Sequence, residues 1–515
     1  MKISVHNDIL IELAESVHRE GPEASKLYLT ANDFTYWSPA LAFADAHAVI
    51  ASKYGSDAAR KSLQFIKQIV SCVPLRNSTL DAAFECGDVA AAGHDSARQL
   101  VGIDAVLTRN LDSTAVGGLK CVTPEELPGL SAKPPSPTRV PFVDLKAQFP
   151  KIYNEIDDRF TEIISQTGFI LGPHVQEFEL AFAKLQGARY CVGLSTGTDA
   201  LHAAFMALEI GPGDEVLVPV NTFIATAEGV SLTGATPVFV DSNEYFNIDV
   251  HKARAILEER HSRGAVKAIA PVHLYGQPAD LDAIVSLAEE FDIAVVEDCA
   301  QAHLAEYKGR KVGNDGQFGT FSYYPGKNLG AFGEGGSIIT NDEESYEKVK
   351  MIRAHGEGTR YRHSLVGHNY RMAALQGAVL STKAKYIAEW TACRQRNARL
   401  YRELLADVKE VELPDEPDFS SAVYHLFVIQ LDDRDELRKF LDDKGIASGL
   451  HYPIPLHLQK AYAGLGYSEG DFPVAERQAE RIVSLPMFPE LTEHDIRYVC
   501  DSIRDFIATN GRKGQ

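Results

Sequence analysis

The chain has 515 residues, 45% hydrophobic and 24% charged, with 71 Asp and Glu against 51 Lys and Arg for a formal net charge of −20. That length exceeds one small core and suggests two to four domains. So acidic a surface repels phosphate backbones, so nucleic-acid binding by the whole chain is not expected, whereas a local pocket for a phosphorylated small molecule is still allowed. Seven scattered cysteines without a CxxC pair suggest neither a zinc site nor a disulfide framework. No apolar run reaches the roughly 18 residues of a membrane span. The start, MKISVHNDILIELAES, carries acids where a signal peptide needs an apolar run, so a cytoplasmic protein is expected.

Residues 1–130 have an αβ pattern of their own: ISVHNDILIELAESV, WSPALAFADAHAVIASKYG, IDAVLTRNLDS and VTPEEL. They hold 11 Lys and Arg against 16 Asp and Glu. A first strand runs into His6-Asn7-Asp8, Ser38 and Asp45 lead a helix, Asp88 lies on a later one, and Thr108-Arg109-Asn110 is followed by Asp112. In this layout the region resembles a PIN-type nuclease domain. The resemblance implies that Asp8, Asp45, Asp88 and Asp112 are the candidates to gather around a divalent metal, as phosphodiester cleavage requires. The departures are that His6 stands where the family has its first metal-ligand Asp, and that Asp112 comes a residue early. Losing a carboxylate removes both charge and an oxygen ligand. A degenerate PIN-like module, kept for interaction or structure, is therefore expected, and metal-dependent ribonuclease activity as the main function is the alternative.

Ser131 to Pro141, SAKPPSPTRVP, places four prolines in eleven residues and reads as a linker over 131–140. Beyond it, Ile152, Ile156, Phe160 and Ile164 keep the beat of an amphipathic helix. The brief β-branched runs EVLVPV (215–220), TPVFVD (236–241), VKAIAPVHL (266–274) and IAVVED (293–298) alternate with helical stretches such as Ala225–Leu232 and Ala279–Phe291. Such alternation predicts a mostly parallel sheet covered on both faces. Past about residue 375 long helical patterns dominate, followed by a smaller α+β portion that includes YHLFVIQL (424–431).

Three segments carry candidate chemistry. Gly193 to Phe205, GLSTGTDALHAAF, runs a Gly/Ser/Thr loop into a helix, where unpaired N–H groups and the helix dipole suit a phosphate. Val295 to His303, VVEDCAQAH, ends a buried strand in Glu297-Asp298, and ligands of α/β sheets sit beyond such strand ends. Asp298 can hold a cationic ring nitrogen there, or simply cap the next helix. Thr320 to Thr340 places Ser322 and Lys327 in a confined Gly-rich segment, where desolvation favours a neutral amine. A phosphate loop, a strand-end Asp and Ser-x4-Lys match the phosphate, pyridine nitrogen and aldehyde of pyridoxal phosphate.

The region from about 140 to 510 carries VPFVDLKAQ, FILGPHVQEFE, GTDALH, IGPGDEVLVPVNTFIATAEGV, GATPVFVD, PVHLYGQPADLD, VEDCAQAH, YPGKNLGAFGEGG, GHNYRM, HYPIPLHLQ and DFPVAE in order. It resembles the DegT-type (DegT/DnrJ/StrS) sugar-nucleotide aminotransferases. The resemblance implies an α/β chain of fold-type I, with a large, mostly parallel-sheet domain that binds pyridoxal phosphate over 141–385 and a small α+β domain over 386–510. It implies Lys327 as the Schiff-base and proton-shuttling lysine, Asp298 against the pyridinium nitrogen, and Gln301 near the phenolic oxygen. It places Phe223 against the ring and Gly197, Thr198 and Ser322 on the phosphate. Asn369 is implied to reach the phosphate of a second subunit, hence a homodimer with shared sites. His451 and His457 are candidates to face the sugar nucleotide, or equally to take core or interface roles.

Related dehydratases carry His where the Schiff-base Lys belongs, so Lys327 favours transamination over deoxygenation, and the intact Lys, Asp, Gln and Ser set argues against a purely regulatory relative. The implied reaction takes an amino group from glutamate to a nucleoside-diphosphate keto-hexose. HYPIPLHLQKAY most resembles enzymes acting at carbon 3 of a thymidine- or uridine-linked sugar, in amino-sugar biosynthesis for O-antigen, lipopolysaccharide or glycosylated natural products.

Overall fold

The computed structural model of the chain describes residues 139–260 and 264–510 and, before them, six strands and a few helical positions between 46 and 56. It divides into two compact units, Met1–Ser136 and Pro137–Gln515.

The first unit contains β1 (Lys2–Val5), β2 (Thr35–Pro39), β3 (Val70–Val73), β4 (Ala105–Leu107), β5 (Ala115–Val116) and β6 (Leu119–Val122). They form one sheet in the order β3-β2-β1-β4-β6-β5, parallel throughout except for the β5–β6 pair. The candidates Asp8, Asp45, Asp88 and Asp112, and His6 with them, lie outside the described residues.

In the second unit the β-branched runs form β7 (Tyr190–Leu194), β8 (Glu215–Pro219), β9 (Thr236–Val240), β10 (Val266–Ile269), β11 (Ala294–Asp298), β12 (Phe318–Ser322) and β13 (Gly336–Thr340). Their order is β7-β13-β12-β11-β10-β8-β9, and β13 runs antiparallel to both its neighbours. The predicted 266–274 strand stops at Ile269, and Leu274–Gly276 forms a 3-10 turn instead. Helices are α1 (Phe149–Gln166), α2 (Pro173–Gln186), α3 (Gly197–Ala207), α4 (Ile224–Ser231), α5 (Val250–Arg260), α6 (Leu281–Glu290), α7 (Glu343–Arg353), α8 (Ala374–Ala384) and α9 (Ile387–Leu405).

Strand side chains alternate between two cores, as the two-residue period demands. Val216 and Val218 pack with Ala200, Ala227 and Val349 from α3, α4 and α7. Leu217, between them, packs with Leu257 and Ile284 from α5 and α6. The β12–β13 end is covered by α2 and α8 through Phe178, Phe182 and Leu380. On α1 the buried residues are Ile152, Ile156 and Ile163, while Ile164 is 60% exposed. A strict four-residue beat drifts around a helix of 3.6 residues per turn, so the third turn returns to the core one residue early.

The small domain pairs β14 (Phe427–Gln430) with β15 (Ile482–Leu485), antiparallel, against α9, α10 (Arg434–Asp443) and α12 (Glu493–Asn510). Between them, α11 spans Pro473–Arg481. Tyr401, Phe427, Leu437, Leu441 and Ile503 fill this core. Val140, at the end of the Pro-rich segment, is buried in it, and its backbone bonds Gly445 and Ala447 at 3.0 and 2.9 Å. The chain thus enters the unit through its small domain before α1 begins. Among the described residues no helix is long and apolar enough to cross a membrane, and Cys191, Cys299, Cys393 and Cys500 are free thiols.

Candidate active site

The carboxyl ends of β11 and β12 and the start of α3 open onto one cavity of about 530 Å³, closed on the small-domain side by His425, Leu426, His451, Tyr452 and Met487. Gly197, Thr198, Phe223, Asp298, Gln301, Ser322, Lys327 and His451 all line it. Residues spread over 255 positions (from 197 to 451) therefore meet in one space, Lys327 among them.

One end is a cup of neutral donors. Thr196 caps α3 by accepting from the Asp199 N–H at 2.9 Å, and the Ala200 N–H goes to the Thr196 carbonyl at 3.1 Å. The amides of Gly197 and Thr198 are left as the open donors of the first turn. Ser322, last residue of β12, sits directly against them: a Cβ on Gly197 would lie 2.6 Å from that of Ser322. Only glycine allows this approach, and the result is a pocket of amide and hydroxyl donors at a helix N-terminus, suited to a phosphate dianion.

The other end holds Asp298, 4% exposed at the end of β11. Its Oδ1 accepts from the Ala300 N–H at 3.0 Å and its Oδ2 from the Thr226 hydroxyl at 2.8 Å. Burial raises its carboxyl above the ordinary value, and the Ala300 amide, Thr226 and the nearby Lys327 offset this only in part. Its neighbour Glu297, on the opposite face of the strand, is treated differently. It accepts from Gly313, Asp315 and Gly316 amides at 2.6, 2.9 and 2.8 Å and from His273 Nε2 at 3.0 Å. Burial opposes its charge, yet His273 and the amides hold the carboxyl below the usual range. Glu297 is saturated and structural; Asp298 has capacity for one more donor, such as a protonated ring nitrogen.

Lys327 lines the same cavity, close enough to Asp298 for their charges to interact, in a loop folded tightly on itself. Its N–H bonds the Tyr324 carbonyl at 2.8 Å, Ala331 bonds back to Tyr323, and buried Lys383 donates to the Gly330 carbonyl at 2.8 Å. Asn328 ties this loop to the small domain, donating to the Val423 carbonyl and pairing with His425 Nδ1, both at 3.2 Å. Burial lowers the Lys327 amine to about 8, with Asp298 opposing the fall. A phosphate cup, a reactive amine and an unsaturated buried carboxylate in one cavity fit pyridoxal phosphate.

Gln301 lines the cavity, its Oε1 accepting from the Tyr275 N–H at 2.6 Å and its Nε2 donating to the Tyr452 hydroxyl at 3.2 Å. Phe223 is half exposed over the cavity and its ring lies 5.3 Å from that of Tyr452. His451 stacks on Phe142, its Nδ1 is 2.8 Å from Ser484 Oγ, and burial beside Lys327 pushes its imidazole down to about 4. Asn369 does not line its own chain's cavity; it is exposed, its Oδ1 accepting from Arg371 at 2.8 Å. His457 is not brought to the site either. It is 2% exposed, bonded to Glu476 at 2.9 Å and packed on Phe472, because the 3-10 turn Leu456–Leu458 points it into the α11 contact. Thr222, Thr226, Tyr324, His425 and Tyr452 belong to the site without having been expected there. The four-residue spacing of Thr222 and Thr226 in NTFIAT was the one visible signal.

Residues 150–504 match the model of the DegT/DnrJ/EryC1/StrS aminotransferase family. The chain is 43% identical over 370 residues to the "Pleiotropic regulatory protein" of Geobacillus stearothermophilus, covering 71% of this chain and 98% of the relative. It is 41% identical to the dTDP-3-amino-3,4,6-trideoxy-alpha-D-glucose transaminase of Streptomyces venezuelae (72% and 96% covered). It is 43% identical to the UDP-N-acetyl-3-dehydro-alpha-D-glucosamine 3-aminotransferase of Acidithiobacillus ferrooxidans (71% and 98%). Among solved structures, S. venezuelae DesV in complex with ketimine intermediate superposes with a TM-score of 0.69 at 40% identity, covering 72% of this chain and 98% of DesV.

Proposed function

The chain belongs to the DegT/DnrJ/EryC1/StrS aminotransferase family, whose enzymes depend on pyridoxal phosphate, and we propose that it moves the amino group of glutamate onto carbon 3 of a keto-hexose carried by dTDP or UDP. The observation that carries this is the meeting of Lys327, Asp298 and the Gly197–Thr198–Ser322 cup in one cavity. Carbon 3 and the two nucleotides are supported by the names of the Streptomyces and Acidithiobacillus relatives. The products would feed amino-sugar biosynthesis for lipopolysaccharide, O-antigen or glycosylated natural products. The chain would act as a homodimer, with Asn369 serving the partner's phosphate.

When bound, the cofactor supplies an aldehyde that takes up the amino group and a ring that spreads negative charge. The Gly197 and Thr198 amides and the Ser322 hydroxyl would hold its phosphate, and Phe223 would pack against its ring. Asp298 would hold the proton at the ring nitrogen, and the Gln301 amide would serve the phenolic oxygen. Lys327 Nζ, with its affinity for protons brought near neutrality by burial, takes and returns the proton at the substrate carbon. Phe142, Leu426 and Met487 line the small-domain side and exclude water. His451, held neutral, offers an imidazole to the sugar. A dehydratase would carry His at position 327, and a purely regulatory protein would not require the donors, acid and amine to converge.

The deciding experiment incubates the holoenzyme with glutamate and a panel of keto-sugar nucleotides and reads the products by mass. Amination of 3-keto dTDP- or UDP-hexoses with release of 2-oxoglutarate is expected; amination of 4-keto sugars alone, or none, rejects the carbon-3 reading.

For residues 1–130 a PIN-like module without nuclease activity is part of the same proposal. It is supported by central strands that end at Val5, just before His6-Asn7-Asp8, and at Leu107, just before Thr108-Arg109-Asn110. Manganese-dependent RNA cleavage by the full chain, lost in Asp88→Asn, would overturn it.

A further inference from the structure

We propose that Thr222 and Thr226 form a directed hydroxyl chain that keeps Asp298 ionised beneath the cofactor ring and so sets the protonation of the ring nitrogen. This rests on the assignment of Asp298 to that nitrogen.

Thr226, on the first turn of α4, is fully buried. A buried helical threonine usually turns its hydroxyl to the carbonyl one turn back. Thr226 instead gives its proton to Asp298 Oδ2, 2.8 Å away and 72 residues distant in sequence. An ionised carboxylate only accepts, so the direction of that bond is fixed. Thr226 Oγ1 lies 2.9 Å from Thr222 Oγ1. Having spent its proton on Asp298, Thr226 accepts there and Thr222 donates. The chain therefore runs Thr222 to Thr226 to Asp298, and each hydroxyl polarises the next. Thr222, 3% exposed, lines the cavity, so its own acceptor sites are the cavity-side end of the chain.

The second carboxylate oxygen is held by a backbone amide that no side-chain substitution removes. Thr226 is thus the adjustable donor. The other titratable groups around Asp298 are Lys327, His273, Tyr452 and the buried thiol of Cys299, and substitution at Thr226 alters none of them. Taking the hydroxyl away leaves Oδ2 without a protein donor and raises the carboxylate's affinity for a proton. The proton shared between Asp298 and the ring nitrogen then moves toward the carboxylate, and the ring becomes a weaker electron sink. Thr226 is a positioning residue in this sense: it acts on the ring only through Asp298.

The test is nitrogen-15 NMR of the holoenzyme loaded with ring-labelled pyridoxal phosphate, over about three pH units around neutrality. Wild type and Thr226→Ser are expected to give a pyridinium signal. Thr226→Val should move toward neutral pyridine, losing the ring proton at a pH about one unit lower, a tenfold shift in the equilibrium. Thr222→Val should move the same way by less. A Thr226→Val signal identical to wild type, or a Thr226→Ser signal that moves as far as that of Thr226→Val, overturns the proposal. Should Thr226→Val fail to hold the cofactor, an unchanged Thr222→Val signal overturns it as well. Asp298→Asn separates the two layers: if it leaves the pyridinium signal intact, the assignment of Asp298 itself fails, whereas if it shifts the signal and the threonine variants do not, only the hydroxyl chain fails.

Discussion

Lys327 imposes a cost on the cofactor-free protein that can be measured. Burial brings its amine from the ordinary 10.5 to about 8. At roughly 1.4 kcal/mol per pH unit, holding the ammonium in the cavity costs about 3 kcal/mol when both folded and unfolded chains are protonated. The sign follows from linkage. Between pH 8 and 10.5 the unfolded chain binds the proton that the folded chain has released, so the penalty is whole below 8 and fades as pH rises. Lys327→Met keeps the length of the side chain and removes the charge. The variant's cofactor-free form is expected to be more stable than wild type by about 3 kcal/mol at pH 7, about 2 at pH 9 and about 1 at pH 10. Paired urea titrations of the two apo-proteins at these pH values check it. An advantage that is absent at pH 7, or that stays constant to pH 10, refutes the claim that a desolvated lysine occupies this position.

Other outcomes follow from the same site. Because the free amine prevails only above about 8, the rate at which apo-protein captures pyridoxal phosphate should climb with pH and level off past 8, read by the growth of the bound-cofactor absorbance. Ser322→Ala removes one hydrogen bond to a charged phosphate, worth about 1.5–3 kcal/mol, and should weaken cofactor binding about ten- to hundredfold in a fluorescence titration. Gly197→Ala drives a methyl to 2.6 Å from the Ser322 Cβ, so cofactor binding should fail while circular dichroism stays that of the wild type. Glu297→Ala strands His273 and three backbone amides that converge on one carboxylate; a loss of about 3 kcal/mol or more is expected in urea unfolding.

The fold and the cofactor end of the site were largely legible because both rest on local pattern. EVLVP, TPVFV and AVVED are short, β-branched and punctuated, and each became a strand at or within a residue of its expected limits. Lys327, Asp298 and Ser322 sit at strand ends or beyond them, where topology alone directs side chains to the cavity. What escaped depends on tertiary approach. GSIIT gives no sign that β13 runs antiparallel between β7 and β12. Thr226 looked like any helical threonine until Asp298, 72 residues later, came within 2.8 Å of it. His451 and His457 are six residues apart in one motif, yet a 3-10 turn sends the second into the interior. His425 lines the cavity beside Asn328, which joins the lysine loop to Val423 and His425 across the chain. In residues 1–130 an αβ pattern was legible, but the strand Val70–Val73 was not among the segments read from it, and the acids that would decide nuclease chemistry lie outside the described residues.

The central claim is that Lys327 is the residue that bonds the cofactor for transamination. Borohydride reduction of the holoenzyme, followed by digestion and mass mapping, tests it most directly. The reduced phosphopyridoxyl group is expected on the peptide containing Lys327, and is expected to disappear when glutamate is added first. An adduct on another lysine, or one indifferent to glutamate, would contradict it.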